Sequence, residues 1–523
     1  MAARLASKLK FAFWWPHAPA FLWALVMAGL PMTSFPLITH LTGSTEAPFS
    51  ALPLAFLALI WFFPTLLRRA SLPEESVPLI FFILWVIVGS ALAFFNVTGM
   101  FRDKSLTGET IRSLLPLVVG IAFYFITAAW NKDTIRLRRS LQWIHVGGVL
   151  MLVYSVAQIL VITIWGNKYI VNLNVVGSYF VDQMNLQGKG RIAGLAFEPS
   201  WLAHQLNMLY LPLWLAASYL RTTVFPRLGK ISVENILLAV GMVAFFFTSP
   251  RIGGVACMLM LFYLFLKFNL VIYRWLIHRL SRLSSAVDHS RWIQAGIGAL
   301  VVLVLVGVYA GSGFGILKIA SGRDDRIALL VDSPLSSGDI QTLSKFDENS
   351  LMLVGRKFAF LERTVYWMTG WHIFNDYPIT GVGLGNAGFY FVENMPAAGW
   401  SSIEIRTLMY RDTALPNIKS MWYRLLAETG IVGFMLFIVW LLVLWFSLSA
   451  SMHSQDNTLR TIALAGQLAL LAFVFEGFSV DSFGLPYLFV ISGLAAAAGM
   501  VYRQRGHAPE GPALPPPQLP QVK

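Results

Sequence analysis

Three basic side chains lie beside apolar runs where helices are expected to end: Arg191, Arg251 and Lys419. A cation at a membrane edge is costly unless paired, and the planar arginine fork matches phosphate oxygens at two points. Taken singly, each could simply snorkel to lipid head groups; their joint placement points instead to a bound diphosphate. Glu198, in Phe197-Glu198-Pro199-Ser200-Trp201, is the acid best suited to act as a general base, because its carboxyl group has apolar neighbours. It could equally answer the dipole of a helix that Pro199 begins.

Other polar residues have plainer readings. His204 reads as a core histidine with one hydrogen bond, and His372 is similar. Arg424 and Glu428, four apart, pair with each other, and Asp481 reads as a solvated turn residue. The stretch Thr380-Gly381-Val382-Gly383-Leu384-Gly385-Asn386 is a tight glycine turn. It is not a nucleotide loop, since no strand precedes it and no Gly-Lys-Ser/Thr closes it.

The elements that must position these residues follow from composition. Of 523 residues, 57% are hydrophobic and 12% charged, with mean hydropathy +0.65, which excludes an ordinary soluble globule. Apolar runs long enough to cross about 30 Å of hydrocarbon recur about twelve times. They fall at 19–39, 50–67, 76–95, 111–130, 141–165, 199–220, 231–249, 252–272, 293–315, 430–450, 459–479 and 484–502. Continuous runs exclude an outer-membrane barrel and predict an all-α polytopic bundle. The expected organisation is nine spans within 1–315, an extracytoplasmic loop over 316–429, three spans within 430–502 and a disordered cytoplasmic tail over 503–523.

Positive residues gather in alternate loops. With both termini cytoplasmic, Arg4, Lys8, Lys10, Arg68, Arg69, Arg136, Arg138, Arg139, Arg221, Arg227, Arg274, Arg279 and Arg503 lie inside. Only Arg102, Lys104, Lys168, Lys189, Arg191 and Arg251 occupy the short outer loops, so the net charge of +13 is mostly topology. Because these cations form no single stripe with aromatics, nucleic acid is not expected as a partner. The basic N-terminus leads into a long apolar run without an A-x-A site and reads as a first span. One cysteine, Cys257, permits neither an intrachain disulfide nor a cysteine metal cluster.

Within the long loop, residues 361–375 are predicted helical, with Trp367, Trp371 and Phe374 on one face and Asp376-Tyr377-Pro378 as the stop. A second helix is expected to start at Asn417 and run toward the tenth span.

Arg363-x-x-x-Trp367, followed by Asp376-Tyr377-Pro378-Ile379-Thr380-Gly381-Val382-Gly383-Leu384-Gly385-Asn386, resembles the signature of the O-antigen ligase and O-antigen polymerase superfamily. Arg191-x-x-Gly194, Glu198-Pro199-Ser200, Ser249-Pro250-Arg251 and Leu425-Leu426-Ala427-Glu428-Thr429-Gly430 support the likeness. The resemblance implies a metal-independent membrane glycosyltransferase with no cofactor, using undecaprenyl-diphosphate-linked glycan as donor and acceptor at the outer face of the bacterial inner membrane. A chain-length regulator and a flippase would be further partners. It implies that Arg191 and Arg251 bind the diphosphate and that Arg363, Trp367, Gly381, Gly383 and Gly385 anchor the loop. Ligases carry a histidine eleven residues before the glycine that matches Gly430; this chain has Lys419, which is more similar to polymerases. A lysine suits phosphate better than it serves as a base. The expected activity is therefore polymerisation of lipid-linked repeat units, with Glu198 as base and Lys419 in the site. A ligase acting on lipid A core or protein, and a lipid-linked glycan transporter, are the alternatives.

Overall fold

The structure is a computed structural model. It describes residues 17–506 except 68–71, 97–100, 166–168, 183–189, 228, 250, 283–289, 323–327, 329–335, 346–347, 358–359 and 413. Arg4, Lys8, Lys10, Arg68, Arg69, Lys168, Lys189, Pro250 and residues 507–523 therefore lie outside the described residues, while residues 503–506 of the expected disordered tail are helical.

Eleven of the twelve expected spans coincide with an apolar helix, the first only in part, and no strand occurs among the described residues. In chain order these are α1 (Ala18–Ala28), α2 (Ala51–Leu67), α3 (Val77–Asn96), α4 (Leu106–Trp130), α5 (Thr134–Trp165) and α6 (199–220). They continue as α7 (Val233–Thr248), α8 (Arg251–Ser281), α9 (Arg291–Ser321), α10 (Met421–Ser451), α11 (Asn457–Glu476) and α12 (Tyr487–Gly506). Seven of the described helices are long and apolar enough to cross a membrane by length and composition. The chain is an all-α polytopic membrane protein.

The expected first span is corrected. Helix α1 ends at Ala28, Thr33 to Phe35 form a non-helical crossing, and a separate short helix, Pro36–Thr42, follows. Pro36 sets that break: it opens the new helix and holds Phe35 extended.

Burial sorts the helices into a centre and a rim. From Leu202 to Ala217 every residue of α6 is buried, and most of α11 and α12 is too, so these helices pack on all sides. Helix α9 is the opposite case: among its described side chains only Val301 is buried, and Leu300, Leu303 and Phe314 are exposed. In water such a surface would aggregate, whereas lipid tails satisfy it.

Polar residues inside the bundle are partnered. His204 Nδ1 lies 3.2 Å from Glu476 Oε2, and Asn207 Nδ2 donates to Glu476 Oε1 (2.6 Å) and to the Gly253 carbonyl (2.8 Å). This network ties α6, α8 and α11 where an unpaired carboxylate would cost several kcal/mol. At the end of α12, Arg503 grips Glu75 with both terminal nitrogens, at 2.7 and 3.0 Å.

Candidate functional site

Helix α10 carries a break on which the site is built. Gly430 has φ 62° and ψ −170°, backbone that only glycine adopts readily, so the carbonyls of the preceding turn lose their helical partners. Each finds a replacement. Val382 N donates to Ala427 O (2.9 Å), Gly383 N to Glu428 O (3.0 Å) and Trp85 Nε1 to Thr429 O (2.9 Å). The predicted glycine turn thus docks directly onto the broken backbone. A Cβ on Gly381 would sit 2.6 Å from Thr429 N, and Gly381, Gly383 and Gly385 all have positive φ. Trp85→Phe is expected to lower the melting temperature of the detergent-solubilised protein. It strands one buried carbonyl, a loss of about 1–3 kcal/mol.

Beneath the turn lies a buried ionic cluster. Arg424 Nε donates to Glu428 Oε2 (2.9 Å), as their spacing predicts, and Arg424 also donates to the Asp481 carbonyl (2.6 Å). The Gly385 N–H faces the Glu428 side chain, so the glycine turn meets both backbone and carboxylate of this residue. Asp481 is corrected: its Oδ2 is shielded from solvent without a hydrogen-bond partner, because the chain folds it inward next to Glu46. Burial first, and the neighbouring Asp481 second, push the Glu46 carboxyl above the ordinary range, while Ser482 donates to it.

Lys419 sits at the entrance to α10. Its φ of 49° is left-handed, so the helix starts at Met421 and not at Asn417 as expected. The Lys419 ammonium lies 2.6 Å from Glu404 Oε1 and 4.6 Å from the centre of the Tyr366 ring, whose hydroxyl donates to the same oxygen at 3.1 Å. Burial and then the Glu404 carboxylate push the Tyr366 phenol above its ordinary range, so it keeps its proton and remains a donor. Arg363 donates to the Lys419 carbonyl (3.0 Å) and Trp367 stacks on Tyr423, which fixes the loop helix Leu361–Asp376 against α10. The buried face of that helix is Thr364, Val365, Tyr366, Met368, Thr369, Gly370 and Ile373. Trp371 and Phe374 meet on one face as their spacing predicts, but that face lies outward, with Trp371 exposed. Gly370 lies on the buried face, where Ile418 and Tyr423 approach the helix closely.

Arg191 and Arg251 converge on one turn. Arg191 Nε donates to Thr248 O (2.8 Å), the last residue of α7, and Ser249 in the left-handed region swings the chain into α8 at Arg251. The Arg251 guanidinium lies 4.2 Å from the centre of the Phe360 ring, at the head of the loop helix that carries Arg363 and Tyr366. A cation as the first residue of a helix opposes the macrodipole by roughly 0.3–1 kcal/mol, a cost that a bound anion removes. Glu198 stands at the N-cap position of the helix Pro199–Gln205, which packs against α8, but makes no side-chain cap bond; its carboxylate accepts from Ser200 Oγ. His372 Nδ1 meets the Asn394 carbonyl (2.8 Å), away from these groups.

Sequence reasoning missed Glu404, Tyr366, Glu46 and Trp85. Glu404 lies 15 residues from Lys419 in an unremarkable Ile-Glu-Ile, and Trp85 reads as one more apolar span residue. Only the fold brings them to the motif.

An all-α bundle with apolar spans, a broken helix and a glycine turn seated on it defines the class: a polytopic membrane protein with a polar site at one end of its helices. A family model described as O-antigen ligase matches residues 236–438, from α7 through the glycine turn to α10. The matched region is consistent with the O-antigen ligase and polymerase superfamily that the chain's motifs resemble. Such a domain supports a membrane glycosyltransferase of the ligase and polymerase type. No curated protein matches the chain.

Proposed function

We propose that the chain polymerises undecaprenyl-diphosphate-linked oligosaccharide units into a surface polysaccharide. The observation that carries this reading is the convergence of Arg191 and Arg251 on the α7–α8 turn, beside the head of the loop helix that holds Lys419. Two guanidinium groups at a helix N-terminus suit a diphosphate leaving group. In the proposed reaction an acceptor sugar hydroxyl attacks the anomeric carbon of the donor. Glu198 takes the hydroxyl proton, the new glycosidic bond forms, and undecaprenyl diphosphate departs with the bonding electron pair onto Arg191, Arg251 and Lys419. The site would face outward from the bacterial inner membrane with both termini cytoplasmic, served by a flippase and a chain-length regulator.

Glu198→Gln is expected to slow chain growth in isolated membranes by about 10²-fold or more, the usual contribution of a general base. Unimpaired growth in this variant would remove Glu198 from the mechanism. The second reading, transfer of finished glycan to lipid A core or protein, is favoured by the description of the matching family model. A deletion strain separates the two: absence of long chains indicates a polymerase, and accumulation of long lipid-linked chains indicates a ligase.

Lys419 acts in this reading through its partner as well as its charge. Burial raises the Glu404 carboxyl, but Lys419 and the Tyr366 hydroxyl outweigh it, so the group titrates below its ordinary value of 4.5. A depressed carboxylate stabilises the fold above its unfolded value and loses that contribution as pH falls through the folded one. Thermal stability of the wild-type protein is therefore expected to fall more steeply below about pH 4.5 than that of Glu404→Gln. Parallel melting curves for the two proteins would remove the Lys419–Glu404 pair as a structural contributor.

A further inference from the structure

Helices α6 and α11 run from the site just described to the other end of the bundle. There the end of α6 and the starts of α5, α7 and α11 enclose a cavity of about 260 Å³. Arg138, Arg221 and Arg227 stand at its rim, and no described carboxylate lies in ion-pair range of any of them. Arg138 is held by the Val224 carbonyl (3.2 Å) and Arg227 by the Arg221 carbonyl (2.9 Å), so the guanidinium groups are placed without being neutralised.

The floor is formed by His145 and Glu234, which are 3% and 0% exposed. His145 Nδ1 lies 2.6 Å from the Leu141 carbonyl, and a carbonyl only accepts, so this nitrogen carries the proton. Nε2 is left as an acceptor with no partner. Glu234 Oε1 accepts from Val224 N (2.8 Å) and Thr223 Oγ1 (3.1 Å), while Oε2 has no partner. Two buried acceptors thus lack donors beneath three cations, and stranded groups of this kind are costly and rare.

We propose that this cavity binds a phosphate ester bearing a hydroxylated substituent, the chemistry of a phosphatidylglycerol headgroup. The phosphate meets the arginines, and a small rotation of the Glu234 and His145 side chains, whose Oε2 and Nε2 are otherwise shielded, lets the substituent's hydroxyls donate to them. Three arginines against one glutamate leave a local excess of positive charge, which disfavours the ammonium of an ethanolamine headgroup. The position at helix ends matches the depth of lipid phosphates. A soluble glycerol phosphate presents the same groups.

The test uses the purified, delipidated full-length protein, the double variant Arg221→Gln/Arg227→Gln, and Arg138→Gln on a separate helix. Each is incubated with mixed micelles holding equal phosphatidylglycerol and phosphatidylethanolamine, and bound lipid is read by native mass spectrometry. In parallel, sn-glycerol 3-phosphate is titrated while melting is followed. The expected result is preferential retention of phosphatidylglycerol by the wild type, falling about tenfold in the variants, as loss of one charge-assisted contact implies. Stabilisation by glycerol phosphate that the variants lose, without arginine-dependent lipid retention, supports the same site with a soluble ligand. The proposal is overturned if wild type and a variant with unchanged ligand-free melting behave alike toward both probes. It is equally overturned if the two lipids are retained equally and glycerol phosphate gives no arginine-dependent stabilisation.

Discussion

Replacing Arg251 by alanine is expected to reduce glycan transfer in membranes by about 10²–10³-fold while leaving the protein's abundance unchanged, the size of loss that follows removal of one donor to developing charge. Arg251 is the first residue of α8 and half-buried, and its side chain lies over Phe360 instead of filling the core. Abundance is measured beside activity, so a fall in activity at wild-type abundance is not charged to lost stability. Arg251→Lys is expected to recover only part of the rate, because an ammonium cannot meet two phosphate oxygens in one plane. Transfer of radiolabelled glycan in membranes from a complemented deletion strain reads both variants. Full activity in Arg251→Ala would sink the diphosphate assignment. Arg191→Ala is a poorer probe, since it also cuts the bond to the Thr248 carbonyl that shapes the turn.

Gly430→Ala is expected to deplete folded protein from the membrane altogether. Alanine at φ 62° and ψ −170° is strained by about 1–3 kcal/mol before any contact is counted. Its Cβ would also collide with the Ile379 carbonyl and stand 2.8 Å from Gly381 N, both parts of the loop's own turn. The helix can relieve the clash only by straightening, which pulls the Ala427, Glu428 and Thr429 carbonyls off Val382, Gly383 and Trp85. Fluorescence-detected size exclusion of a tagged protein measures this. A monodisperse peak of wild-type height would mean that the break is not needed for folding.

The helices were legible because lipid imposes a blunt rule, that a span must be long and apolar, and eleven of the twelve runs coincide with helices. Boundaries failed where local conformation overrides hydropathy, at the Pro36 break and at left-handed Lys419. The glycine turn was visible from spacing, but not its dock, because nothing in Thr429 or Trp85 announces that a carbonyl in one helix will meet an indole in another. Pairing between neighbours in sequence, as for Arg424 and Glu428, could be read directly. The partner of Lys419 and the inward turn of Asp481 depend on long-range folding and left no local mark.

The docking of the loop onto the broken helix also orders the protein's biogenesis. While α10 enters the bilayer ahead of its tertiary partners, free carbonyls in hydrocarbon cost several kcal/mol each, so the segment must cross as an unbroken helix with Gly430 in helical geometry. The break can open only when Val382 and Gly383 arrive to receive the released carbonyls. Maturation therefore requires the long connecting segment to reach its place first and remodelling of the helix second. A glycine at position 430 lets one sequence serve both the inserting and the finished state.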